Sequence, residues 1–205
     1  MCTRFYIEPE SEELSEIIER ARKTQLADRF LRAGGALLTS GEIRPTNVVS
    51  VIAPNKDGKA SVFPMRWGYR IPGASLIVNA RSETASAKQT FREDWKVHRC
   101  IIPASWYYEW EHFKNAAGHT KTGDRYSIQP AGASATWLCG LYRMEDQFPV
   151  FAILTREPTE DLRRIHDRMP LMLPKNMIRS WIDPKNKPED MLPYALTDMA
   201  FEKSG

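Results

Sequence analysis

From Val48 onward the chain breaks into short apolar runs, each too brief for a helix, and that pattern constrains the fold more than any other feature. Residues 48–53 and 61–65 are two such runs, separated by a turn at residues 55–58 that carries Asn55 and Gly58. Others lie at residues 75–79, 97–102 (stopped by Pro103), 107–111, 125–129, 136–142 and 149–155. Runs of this length, rich in branched and aromatic residues and bounded by turn formers, predict strands. One long helical pattern precedes them. Ser11 is a candidate N-cap, Leu14, Ile17, Ile18 and Ala21 follow at helical spacing, and the pattern extends through Leu26, Phe30 and Leu31 to Gly34-Gly35. Two short helices are expected at residues 159–165, with Thr159 as cap, and 175–181. The polar stretch 113–124, with Gly118 and Gly123, reads as an exposed loop.

Neither a repeat nor an interdomain linker interrupts these segments, and 205 residues suffice for one substantial core. The expectation is a single domain over residues 2–205, with its motifs in 2–175 and an unpatterned tail at 184–205. Its class is α+β: a curled, mainly antiparallel, barrel-like sheet flanked by short helices. No 18-residue apolar run marks a membrane span, and the start lacks the layout of a secretory signal, so a cytoplasmic protein is expected. Cys2, Cys100 and Cys139 form neither a disulfide framework nor a CxxC pair, and the four histidines lack metal-site spacing. No metal or cofactor is expected. Lysine and arginine exceed aspartate and glutamate by three (29 against 26), which permits a nucleic-acid partner without requiring one. Arg4, Arg66, Arg70, Arg81, Arg99 and Arg168, all beside turns or aromatics, suggest as a group an anionic ligand.

Several positions carry chemistry. Cys2 directly follows the initiator Met1, so trimming Met1 exposes a 1,2-aminothiol. Its amine can condense with an aldehyde and its thiol can close on the imine, both being partly nucleophilic near neutral pH. In Arg66-Trp67-Gly68-Tyr69, Trp67 is either a core anchor or an exposed plate for stacking a base. Asn79-Ala80-Arg81-Ser82-Glu83-Thr84 sets an amide and a guanidinium where a strand gives way to a loop. Arg81 could pair with Glu83 or offer parallel donors to a phosphodiester. Glu109 lies in the aromatic block Trp106-Tyr107-Tyr108-Glu109-Trp110, sharing a strand face with Tyr107 and Glu111. Buried, it would have a raised pKa and shuttle protons near pH 7; otherwise it is a surface or ion-paired residue. His166, in Ile165-His166-Asp167-Arg168-Met169-Pro170, is a candidate general acid or base that Asp167 or Glu109 could orient, or a helix-end histidine bonded to backbone.

Taken together and in order, these motifs, with Arg99-Cys100-Ile101-Ile102-Pro103-Ala104 between them, closely resemble the SRAP (SOS response-associated peptidase) family. The resemblance implies the SRAP fold and a monomeric sensor of abasic sites in single-stranded DNA, associated with the nucleoid when bound to damage. It implies loss of Met1 and a thiazolidine between Cys2 and the ring-opened deoxyribose aldehyde, with weak lyase activity and acid-assisted reversal. Carried onto this chain, Cys2 is the nucleophile, Asn79 positions the sugar or the N-terminus, and Glu109 and His166 move protons. Arg4, Arg81 and Arg168 would hold flanking phosphates, and Trp67 would lie near the bent strand. The chain departs from the family pattern at Thr3, where glycine is common, at Tyr107-Tyr108, and around residues 113–123, where Lys114, His119 and Lys121 could add backbone contacts. Two other readings stay open: a cysteine peptidase or N-terminal-nucleophile hydrolase using Cys2 with His166, and a non-covalent reader of modified bases.

Overall fold

The computed structural model describes residues 2–114 and 118–204. Helix α1 (Glu12–Arg22) starts where expected: Ser11 accepts the Leu14 N–H, and Leu14, Ile18 and Ala21 are buried. The helix does not continue to Gly34. Thr24 donates its hydroxyl to Ala21 O (2.7 Å) and accepts from Ala27 N (3.2 Å), so it caps a separate helix α2 (Gln25–Arg32). A threonine oxygen competing for backbone partners thus divides one expected helix into two.

Two sheets make up the body. In the first, β12 (Met199–Lys203), β8 (Thr120–Pro130), β7 (Trp106–Lys114), β1 (Arg4–Ile7) and β2 (Gly41–Ile43) lie side by side in that order, all antiparallel. In the second, β10 (Phe148–Arg156), β4 (Ala60–Trp67), β3 (Val48–Pro54), β6 (Arg99–Ala104) and β9 (Thr136–Glu145) follow one another, and β9 pairs back onto β10. Those five strands therefore close into a barrel, which leaves no edge among them unpaired. Only the β4–β10 contact is parallel within it. Gly140 sits at the closure, opposite Cys100 on β6 and Ile153 on β10; a Cβ there would lie 2.6 Å from Ile102 Cδ1 and 2.9 Å from Ala152 O. Two short strands, β5 (Asn79–Arg81) and β11 (Met169–Pro170), attach to the far end of β10.

The α+β, curled-sheet expectation holds, with differences in detail. The strand expected at 75–79 runs instead over Asn79–Arg81, and the earlier residues form only a bridge between Tyr69 and Ile77. Pro103 does not stop β6; it lies within it, opposite Trp137. Its neighbour on the other side, β3, pairs with β6 only at Ile101, so the missing N–H can face a side where no ladder bond is required. Most of the expected loop at 113–124 is a continuation of the β7–β8 hairpin, with Phe113 opposite Lys121 and Lys114 opposite Thr120. Its residues 115–117 lie outside the described residues. The stretch expected at 159–165 contains one 3-10 turn (Glu160–Leu162), and 175–181 a 3-10 turn leading into α5 (Ile178–Ile182). Two further short helices, α3 (Ser82–Ala85) and α4 (Arg92–Val97), carry no periodic signal in the sequence. The expected tail ends in β12, held to β8 with Phe201 opposite Ile128.

Arg99 explains how the C-terminal half clamps onto the barrel. It is fully buried, and its guanidinium donates to Trp181 O (2.7 Å), Trp95 O (2.9 Å), Asp183 O (2.6 Å), Asn186 O (2.9 Å) and Lys96 O. Carbonyls at and just beyond the ends of α4 and α5 converge on one delocalised cation.

Candidate functional site

The register of β1 on β7, with Arg4 opposite Tyr108, carries the chain before Arg4 alongside Glu109. Cys2 is fully buried there, its Sγ 3.7 Å from Arg4 O. Asn79 opens β5, fixed by the pairing of that strand with Ile153 on β10, and its Nδ2 donates to Cys2 O at 2.8 Å. This bond pins the start of the chain across 77 positions of sequence. Asn79 Oδ1 is also buried and accepts no hydrogen bond among the described residues. Burial and the charge of Glu109 together push the Cys2 thiol well above its ordinary pKa.

Glu109 is 3% exposed, and desolvation pushes its carboxyl up to about 7. His166 follows the 3-10 turn, its amide bonded to Leu162 O (3.0 Å), and its Nε2 stands 4.0 Å from Glu109 Oε2. A bulge between Trp110 and His112 lets the His112 amide bond Ile165 O (3.2 Å), tying the His166 segment to β7. Desolvation pulls His166 down to about 4, His112 acting in the same direction and Asp167 opposing it. His166 Nδ1 lies 2.7 Å from Asp167 Oδ1 and 3.1 Å from the Arg168 amide. The carboxylate needs a proton on Nδ1 and the amide needs a lone pair there; the shorter, charge-assisted contact favours Nδ1–H, which turns the Nε2 lone pair toward Glu109. Near neutral pH the pair is therefore an acid partly retaining its proton beside an uncharged base, with the pKa order of an ordinary glutamate and histidine inverted.

The structure thus gathers Cys2, Asn79, Glu109 and His166 from four separate segments. The expected DNA-contacting residues divide. Arg81, at the end of β5 two residues from Asn79, is exposed. Arg4 is partly exposed, bonded to Thr3 O (2.7 Å) and 3.2 Å from Glu42 Oε1. Glu42 also meets Arg44 (3.0 Å) and Arg125 (3.3 Å), so three guanidiniums gather around one carboxylate next to the Cys2 segment. Arg44, Arg125 and His112 carry no local sequence signal, because strand pairing and the bulge bring them here.

Trp67 is a correction. Trp67 is fully buried, packed on Phe5 and Phe151, with Nε1 donating to Val78 O (2.9 Å). It is a core anchor holding the backbone before Asn79, not an exposed plate. Arg168 donates to Thr155 O and Glu83 Oε2 (both 2.8 Å) and is only 9% exposed. Both bonds come from Nη2 and brace β10, and Glu83 pairs with it rather than with Arg81, while Nε is buried without a hydrogen-bond partner among the described residues. Nor do the six arginines form one face: Arg99 is a core clamp, and Arg66 lies over the rings of Phe30 and Phe148. Among the described residues no three His, Cys, Asp or Glu side chains gather to hold a metal ion.

The family model described as SOS response associated peptidase (SRAP) matches residues 1–203. The abasic site processing protein YoqW of Bacillus subtilis is 32% identical, over 97% of this chain and 90% of its own length. YoaM, an abasic site processing protein of the same organism, is 32% identical over 78% of this chain and 77% of its own length. Among solved structures, a phage-related protein of Bordetella bronchiseptica superposes with a TM-score of 0.70 over 99% of this chain and 94% of that one, at 21% identity.

Proposed function

The chain belongs to the SRAP family, and from that premise we propose that it captures abasic sites in single-stranded DNA as a thiazolidine on Cys2 once Met1 is removed. The relatives' shared description as abasic site processing proteins supports the substrate class. The observation that carries the chemistry is a Cys2 pinned by Asn79 beside a glutamate held near 7 and a histidine held near 4.

An abasic deoxyribose is mostly a closed hemiacetal. Neutral His166 takes the proton of the anomeric hydroxyl, the carbonyl forms, and the ring oxygen leaves with a proton returned by the imidazolium. The Cys2 amine then adds to the aldehyde carbon. Protonated Glu109 gives its proton to the departing water, leaving a protonated imine and a carboxylate. Thiol addition to that carbon closes the five-membered ring, and the sulfur's proton restores Glu109. Asn79 holds the Cys2 carbonyl through Nδ2, and its buried Oδ1 is available to a sugar hydroxyl. Arg81 and Arg4 contact flanking phosphates; Arg168 and Trp67 act from behind, by holding β10 and the residue before Asn79. The same imine permits strand cleavage if closure fails, and protonated Glu109 serves reversal.

A peptidase built on Cys2 and His166 would use a thiolate–imidazolium pair, which lowers a thiol's pKa. Here burial raises the thiol and keeps the imidazole neutral, against that reading. A base reader relying on Trp67 loses its stacking surface.

The test is incubation of purified protein with single-stranded DNA carrying one abasic site, followed by denaturing gels and intact mass analysis. A heat-stable adduct of a chain lacking Met1, absent in Cys2→Ala, is expected. No adduct with the native protein, or an undiminished one in Cys2→Ala, refutes the reading.

A further inference from the structure

Tyr107 is fully buried, and its hydroxyl is buried without a hydrogen-bond partner among the described residues. Such a group costs stability, and a phenylalanine would fill the same core position without that cost. The hydroxyl therefore calls for a reason. Its position supplies one: Tyr107 and Glu109 stand two residues apart on β7, so both side chains leave the same face of the strand, roughly 7 Å apart at the backbone. Phe5 lies opposite Tyr107 across the β1–β7 ladder, three residues from Cys2. Burial holds the phenol protonated, and the nearby Glu109 carboxylate acts in the same direction.

We infer that the Tyr107 hydroxyl relays the Cys2 thiol proton to Glu109 during ring closure, an inference that rests on the thiazolidine reading above. As sulfur bonds to the carbon of the protonated imine, the C=N π pair moves to nitrogen and neutralises it. The S–H proton passes to the phenol oxygen, and the phenol's own proton passes to the Glu109 carboxylate left by the earlier loss of water. No net charge remains on Tyr107, and Glu109 regains the proton it gave. The relay answers a difficulty of the site, where the same burial that excludes water makes a free thiolate costly. It also sets the fate of the imine: slow closure leaves more time for β-elimination.

Tyr107→Phe tests this, with abasic single-stranded DNA as the probe. Imine formation is read by borohydride trapping, closure by the heat-stable adduct, and leakage by the strand-cleaved product. The expected result is an unchanged rate of trappable imine, closure slowed roughly tenfold or more, and a larger cleaved fraction; the effect lies below the about hundredfold of a dedicated general base because water can partly substitute. The solvent deuterium isotope effect on closure should differ in the variant from that of the native protein, a change that loss of packing would not produce. Thermal unfolding of the variant at or above the native midpoint separates chemistry from misfolding. Closure rate, isotope effect and cleaved fraction all matching the native protein overturn the relay. Failure of the native protein to form any adduct instead overturns the thiazolidine reading itself.

Discussion

Replacing Glu109 by glutamine swaps a buried acid for a neutral amide of the same shape, and the consequence for stability follows from burial alone. The carboxyl's pKa rises from 4.5 to about 7 on folding. Between those values the unfolded chain has released a proton that the folded chain still holds, so native stability falls as pH rises through the window and stays reduced above it. The difference between 4.5 and about 7 corresponds to about 3 kcal/mol at 1.36 kcal/mol per pH unit. At 3% exposure, solvent screening takes little from this figure. The E109Q variant escapes the loss. Its melting temperature should match the native protein's near pH 4.5 and exceed it by about 6–12 °C at pH 8, using roughly 2–4 °C per kcal/mol for a chain of this size. Thermal unfolding by circular dichroism across that range is the assay. A pH-independent difference, or a variant less stable at pH 8, would refute a glutamate kept neutral by desolvation.

His166 has the opposite sign: its pKa falls to about 4 on folding, so stability is lost as pH drops from 6.5 through 4, and His166→Gln should flatten that limb of the stability curve relative to the native protein. Arg81→Ala should leave the melting temperature unchanged and lower the salt dependence of single-stranded DNA binding by about one phosphate contact; an unaltered slope removes Arg81 from the interface. Arg168→Ala, in contrast, should cost about 2 kcal/mol through its lost charged hydrogen bonds, read as a lower denaturation midpoint, and native stability would show that it braces nothing. Arg99→Lys should cost more than about 3 kcal/mol, because an ammonium has three donors and cannot reach the carbonyls now held by three guanidinium nitrogens.

Legibility of the chain followed the range of the forces involved. Ser11 capping α1, the β3–β4 hairpin and the strands around Cys139 and Ile153 depend on neighbours a few residues away, so their composition announced them. Thr24 shows the limit of periodicity, since one hydroxyl ended a pattern that the apolar spacing continued. The β12 strand was invisible for a related reason: Met199–Lys203 has little strand character and is held by the β8 edge it completes.

Within the candidate site, residue types were readable but their states were not. A cysteine behind the initiator, an asparagine at a strand end, a glutamate among aromatics and a histidine beside an aspartate are chemical facts of the chain. Whether Trp67 faces solvent or Phe151, and whether Arg168 meets a phosphate or Thr155 O, depends on closure of the barrel, which joins positions tens of residues apart. The packing of the His166 segment against β7 of the other sheet removes water from Glu109 and His166 and so moves their pKa values past each other. Covalent sequence determines which groups can react; only the folded surroundings decide which of them hold a proton, because desolvation and charge act through space.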